Sequence, residues 1–184
     1  MEFAKASCKD SLTYVFDLDG VIYRGNEPQP QAAETIRALR AGRQIVRFYT
    51  NNSALTREAY ADKLTGIDIP ASIDDIMTSS YATALYFVEN NEIGRNVYEI
   101  GHDGIRHELE AVGMKVITDE DEPDAQIDYV VVGIDSEFSY RKLARAQSAI
   151  MAGAKFIATN EDMMFPVEEG KILPGSGALV AAVK

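Results

Sequence analysis

The chain has 184 residues, 46% of them hydrophobic and 26% charged, with a net charge of −11. That composition is globular rather than disordered and provides one good core or two small domains sharing an interface. The acidic balance excludes a general nucleic-acid or anionic-membrane surface, because phosphate backbones are bound by basic patches, but it leaves room for a small phosphorylated ligand.

Strand and helix signals alternate along the chain. A strand is predicted over 12–16. "PQPQAAETIRALRAG" then carries proline near its start, Ala33, Ile36 and Leu39 on one face, and Gly42 as a stop, which reads as a helix. "QIVRFY" (44–49) is β-branched and aromatic, hence a strand. "LTREAYADKL" reads as a helix capped by Thr56 with Tyr60 and Leu64 inward. "DIMTS" is a short strand, "SYATALYFVENN" a helix and "NVYEI" a strand. "GIRHELEAVG" places Ile105, Leu109 and Val112 on one helical face and closes on Gly113. "MKVI", an acidic loop, "DYVVVGI", the amphipathic helix "SYRKLARAQSAIMAG" and the strand "AKFIAT" follow. Repeated units of this kind predict an α/β fold, a mostly parallel sheet covered by helices on both faces, with ligands at the carboxyl ends of strands.

Some features carry no chemistry. The stretch Asp119, Glu120, Asp121, Glu122, Asp124 lacks the glycine and ligand spacing of a calcium loop and reads as solvated. His102 and His107 are expected at the surface or an interface rather than on a metal. The single cysteine, Cys8, excludes an internal disulfide and fits a reducing cytoplasm. No apolar run approaches the roughly 20 residues of a membrane span, and the amino terminus has no long apolar stretch of the secretory type.

The chemistry gathers in "YVFDLDGVIY" (14–23), an apolar run with Asp17 and Asp19 in its middle. Carboxylates beside a buried strand are costly unless a cation or hydrogen bonds take the charge. A strand-end Asp can serve as a nucleophile toward phosphorus, and Mg²⁺ would offset the repulsion between carboxylate and phosphate. A second carboxylate two residues on shares its face and could protonate the leaving oxygen, then activate water. Gly20 permits the tight turn that follows. Alone, D-x-D-G also reads as an ordinary turn or helix cap. "FYTNNS" (48–53) adds a second polar strand end, separated from the first by one helix, so adjacent parallel strands would bring Thr50, Asn51 and Asn52 beside Asp17. A hydroxyl and amides bind phosphate oxygens without adding charge.

These segments resemble the haloacid dehalogenase superfamily, in the class IIA branch that includes the N-acetylglucosamine-operon phosphatase, p-nitrophenyl phosphatases and pyridoxal phosphatase. "VFDLDGVIYRG" matches the first motif, "FYTNNS" the second, "DIMTSSYATALY" the passage into a cap, and "FIATNEDMMFPVEEGKILPGS" with "GALVAAV" the end of that cap. The resemblance implies a Rossmann-like core with an inserted α/β cap: 1–78 as the first part of the core, 79–163 as the cap, 164–184 as a segment re-entering the core. It implies Mg²⁺-dependent hydrolysis of a small phosphorylated metabolite, with Asp17 as nucleophile and metal ligand. Asp19 would be general acid/base and a second metal ligand through its carbonyl, and Thr50, Asn51 and Asn52 would hold the phosphate. It also allows a homodimer through the cap.

Family members continue past "GALVAAVK" into a phosphate-steadying lysine and a metal-binding aspartate, so a truncated core with little or no turnover is expected of these 184 residues. Pyridoxal phosphatases carry histidine about where Phe165 stands, which disfavours pyridoxal phosphate as substrate. The alternative to an enzyme is a phosphate- or metal-binding module, or a degenerate relative of the family, that binds without turnover. A response-regulator receiver would need a phosphorylated Asp after the third strand, where "IMTSS" has none.

Overall fold

The computed structural model describes residues 11–118, 125–166 and 171–184. Cys8 and the acidic stretch 119–124 lie outside the described residues. The elements in chain order are β1 (Thr13–Asp17), β2 (Tyr23–Arg24), β3 (Glu27–Pro28), α1 (Ala32–Ala41), β4 (Ile45–Thr50), α2 (Arg57–Gly66), β5 (Ile76–Thr78), α3 (Ser79–Glu89) and β6 (Asn96–Ile100). They continue with α4 (Asp103–Ala111), β7 (Lys115–Ile117), β8 (Tyr129–Val132), α5 (Tyr140–Met151), β9 (Lys155–Ala158), β10 (Met164–Pro166), β11 (Ile172–Pro174) and α6 (Ser176–Val183). No helix among the described residues is long and apolar enough to cross a membrane.

Among the described residues, β2–β3 and β10–β11 form antiparallel pairs, and the other seven of these strands form two parallel sheets. The first has the order β1-β4-β5, with Asp17 opposite Tyr49 and Thr50 opposite Thr78. In β4, Val46, Phe48 and Thr50 point inward while Ile45 and Tyr49 stay exposed, whereas β1 has only Phe16 half-buried. Ile36 of α1 and Tyr60 and Leu64 of α2 close over that single buried face, together with Leu18, Ile22 and Tyr23. Thr56 caps α2 as expected, its hydroxyl oxygen accepting from the Ala59 amide at 3.2 Å.

The second sheet has the order β7-β6-β8-β9 and is covered on both faces. One face packs Phe87, Ile105 and Leu109 from α3 and α4, and the other packs Ala146, Ala149, Val180 and Val183 from α5 and α6. All four residues of β8 are accordingly buried, the near-continuous apolar run expected of a doubly covered parallel strand. Helices on both faces therefore describe the second sheet. The first departs from that expectation among the described residues, where Leu12, Val15 and Tyr49 remain exposed. Within the stretch 164–184, α6 packs on the second sheet through Val180 and Val183.

Several contacts join the sheets. The Gly104 amide donates to the Ala54 carbonyl at 3.2 Å, and the buried Ser53 hydroxyl oxygen accepts from the Ile134 amide at 3.2 Å. Arg57 of α2 grips both oxygens of Glu108 of α4.

Candidate active site

Asp17 is the last residue of β1, and Leu18 is buried between two solvent-accessible aspartates, so Asp17 and Asp19 share the open side as their spacing requires. The Leu18 amide donates to Asp17 Oδ1 at 2.8 Å. Its carbonyl collects the amides of Val21, Ile22 and Tyr23 at 3.0–3.3 Å, which folds the chain back on itself. Gly20 sits at φ +85°, a left-handed conformation that favours glycine, and its amide donates to the Tyr23 carbonyl at 2.6 Å. The two acids are thus held on one tight, well-bonded loop.

Loss of hydration pushes the Asp19 carboxyl above the ordinary aspartate value, and the neighbouring Asp17 charge adds to that. Lys63 and a hydrogen bond from the Asn52 side chain oppose the shift. Lys63 lies on α2 with its ammonium 3.8 Å from the centre of the Tyr23 ring. Tyr23 and Tyr60 are both buried, and burial, followed by the charge of Asp19, raises their hydroxyls above the ordinary tyrosine value.

The parallel pairing of β1 with β4 puts the second polar cluster beside the first. Thr50 is buried, and its hydroxyl oxygen accepts from the Asn52 amide at 3.1 Å, leaving the O–H hydrogen to donate elsewhere. Asn52 Oδ1 accepts from the Ala54 amide at 3.0 Å, while its NH₂ serves Asp19. Asn51 turns the other way. Its NH₂ donates to the Asp162 carboxylate, and its backbone carbonyl accepts from Ser79 Oγ at 2.7 Å and Asn160 Nδ2 at 2.8 Å. Of the five residues expected to form the site, Asp17, Asp19, Thr50 and Asn52 converge, and Asn51 is tethered to the far sheet.

Sequence reasoning missed Ser53, Lys63, Ser79, Asn160 and Asp162. One signal was available: "ATNED" at the end of β9 repeats the small polar strand end of "YTNNS" at the end of β4. Lys63 and Ser79 had none, because helix residues come to a site only through packing.

Other groups of interest lie apart from this loop. Glu58, His107 and Glu108 bring ligand atoms within 4.8 Å of one another, but Arg57 occupies both oxygens of Glu108. His107 is exposed and His102 shares a hydrogen bond with Ser136, 3.2 Å between Nε2 and Oγ. A hollow of about 530 Å³ lined by Glu92, Arg95, Tyr129, Arg145 and Lys155 sits at the amino ends of the second sheet's strands, the wrong end for the acids.

Comparison with known proteins bears on this geometry. A family model described as haloacid dehalogenase-like hydrolase matches residues 14–115. An acid sugar phosphatase of Staphylococcus saprophyticus is 39% identical over 175 residues, covering 95% of this chain and 65% of that protein. A 5′-nucleotidase of Bacillus subtilis is 39% identical over 170 residues, covering 92% of this chain and 63% of that protein. A glycerol phosphate phosphatase of Mycobacterium tuberculosis, solved in complex with magnesium, superposes with a TM-score of 0.82 at 30% identity, covering 94% of this chain and 50% of that one. The chain therefore spans somewhat under two thirds of the length of these curated relatives.

Proposed function

Because the chain belongs to the haloacid dehalogenase-like hydrolases, we propose that it carries the nucleophile-bearing part of a phosphatase acting on small phosphorylated metabolites. Residues 1–78 are read as the first part of its core and 79–163 as its cap. The observation that carries the reading is the junction of two strand ends, Asp17 and Asp19 after β1 and Thr50 at the end of β4, brought side by side by the parallel pairing of β1 with β4.

In this reading an Asp17 oxygen attacks phosphorus, the bond to the leaving oxygen breaks, and Asp19 delivers its proton to that oxygen. Water then attacks the aspartyl phosphate, gives its proton to Asp19, and releases inorganic phosphate with Asp17 restored. The position of Asp19 beside Asp17, in a partly dehydrated setting, suits a carboxyl that must hold a proton for part of the cycle. Asn52 orients it, and the free Thr50 O–H donates to a phosphate oxygen. Two carboxylates and backbone carbonyls form the hard oxygen set that a divalent cation such as Mg²⁺ takes, with Asp17 and the Asp19 carbonyl as its ligands. When bound, the cation offsets the repulsion between Asp17 and the phosphate oxygens.

Relatives named as acid sugar phosphatase, 5′-nucleotidase and glycerol phosphate phosphatase support the reaction class, and their variety leaves the substrate to its own test. The deciding assay is p-nitrophenyl phosphate hydrolysis with Mg²⁺ by this chain, by a chain extended to the relatives' length, and by Asp17→Asn in each. Turnover that vanishes in Asp17→Asn is expected of the extended chain. An extended chain without turnover overturns the reading.

The second reading is a phosphate- or metal-binding module without turnover. Isothermal titration with Mg²⁺ and inorganic phosphate separates the two. Binding that survives Asp17→Ala would rule out this loop as the binding site.

A further inference from the structure

We propose that Asp162, assisted by Asn160, is a positioning residue: the turn after β9 orients Asn51 and thereby sets the phosphate-facing end of β4, an inference that rests on the phosphate reading of the Asp17–Asn52 site. Asn51 is an exposed loop residue, yet it is held at both ends by residues about 110 positions away in sequence. Asp162 accepts from its side-chain NH₂, and Asn160 donates to its carbonyl at 2.8 Å. Ser79 adds a second donor to the same carbonyl. A carboxylate can only accept, so Asp162 selects the nitrogen end of the Asn51 amide and fixes which way the group is turned. The second N–H of that amide is then presented in a single direction.

The anchor itself is braced. Asn160 Oδ1 accepts from the Asp162 amide at 3.1 Å, and its Nδ2 also lies 3.1 Å from the Oγ of the buried Ser176 at the start of α6. The Gly177 amide donates to the Asp162 carbonyl at 2.8 Å. A Cβ at Gly177 would stand 2.2 Å from the Glu161 carbonyl oxygen, so the turn and the helix meet at backbone distance. A side chain braced this way transmits its position rather than yielding to its partner. This gives "TNED" and "PGSG", two stretches with no role in the chemistry, a shared one.

Charge makes the inference testable. A carboxylate beside an anion site repels the anion, so by electrostatics alone Asp162→Ala should tighten phosphate binding. Positioning gives the opposite sign. The experiment is isothermal titration of inorganic phosphate with Mg²⁺ into the wild-type chain, Asp162→Ala, Asp162→Asn, Asn51→Ala and the Asn51→Ala/Asp162→Ala double variant, with the ¹⁵N resonances of the Asn51 side chain followed in parallel. Asp162→Ala is expected to weaken phosphate by about tenfold, the order of one charge-assisted hydrogen bond. Asp162→Asn, which keeps an accepting oxygen, should bind at least as tightly as wild type, and Asp162→Ala should cost nothing further once Asn51 is alanine. Unchanged or tighter binding in Asp162→Ala, or an equal loss in the Asn51→Ala background, overturns the proposal. A wild-type chain that binds no phosphate defeats the phosphate reading instead. The tether is then judged by the Asn51 amide alone, whose resonances must move in Asp162→Ala and are sunk as a tether if they stay.

Discussion

The guanidinium of Arg57 in α2 holds both carboxylate oxygens of Glu108 in α4, at 2.8 Å through Nε and 3.2 Å through Nη2. The Glu108 side chain is 1% exposed and that of Arg57 15%, and the Arg57 guanidinium also stands 3.5 Å from the centre of the Tyr81 ring. Burial pulls the Arg57 guanidinium down, but the hydrogen bond and charge of Glu108 together more than offset it, and Arg57 sits above the ordinary arginine value. The pair therefore fixes how the two sheets meet. Removing one partner leaves a buried charge alone, so Glu108→Ala should lower unfolding stability by about 3–5 kcal/mol. Urea titration followed by circular dichroism checks this, and a loss under 1 kcal/mol on the order of a surface pair would contradict it.

Glu99 predicts a pH dependence. Burial pushes its carboxyl above the ordinary glutamate value, against the opposing pull of Arg106 and Lys142. A carboxyl raised in the folded state contributes stability that is present below its unfolded value, about 4.3, and lost as pH rises through the folded one. The difference in unfolding free energy between wild type and Glu99→Gln should therefore move in favour of wild type as pH falls from neutral toward 4. A difference flat with pH would mean that Glu99 is ionised in the folded chain as easily as in the unfolded one.

Gly177→Ala should act through shape alone. The added methyl meets the Glu161 carbonyl oxygen at 2.2 Å, and backbone, unlike a side-chain tip, cannot rotate away. We expect a loss of about 1–3 kcal/mol, the usual range for overpacking, read as a lower thermal midpoint. Gly153→Ala offers no comparison of crowding, since open space surrounds it and only its φ of +106° would strain the substitution.

The outer face of the first sheet predicts association. Val15 is 53% exposed and Leu12 57%, and β1 pairs with β4 on one edge alone among the described residues. An apolar strand edge templates pairing with another chain. Light scattering should show mass rising with protein concentration, and Val15→Lys should shift the chain toward monomer. A wild-type chain that stays monomeric across the concentration range would contradict the first expectation.

The alternation of strands and helices was readable because hydrophobic period and turn residues are local properties. Thr56 as a cap and Tyr60 and Leu64 as inward residues came out as read, each within one helix. The hairpins β2–β3 and β10–β11 were not anticipated, since two or three residues per strand carry no measurable period. One-sided cover of the first sheet was equally hidden, because Val15 looks apolar in sequence whether or not anything lies on it.

By itself the sequence determined the alternation of the parallel strands and their helices, the strand-end position of Asp17 and Asp19, and, through one intervening helix, their neighbourhood with Thr50. Those follow from periodicity and from short right-handed connections, which need no knowledge of distant contacts. Only the tertiary structure decided that Asn51 answers to Asp162, that Arg57 meets Glu108, and that Lys63 and Asn52 steady the charge of Asp19. Such pairs join residues whose approach depends on how two sheets pack, and a hydrogen bond leaves no periodic trace in either partner's surroundings.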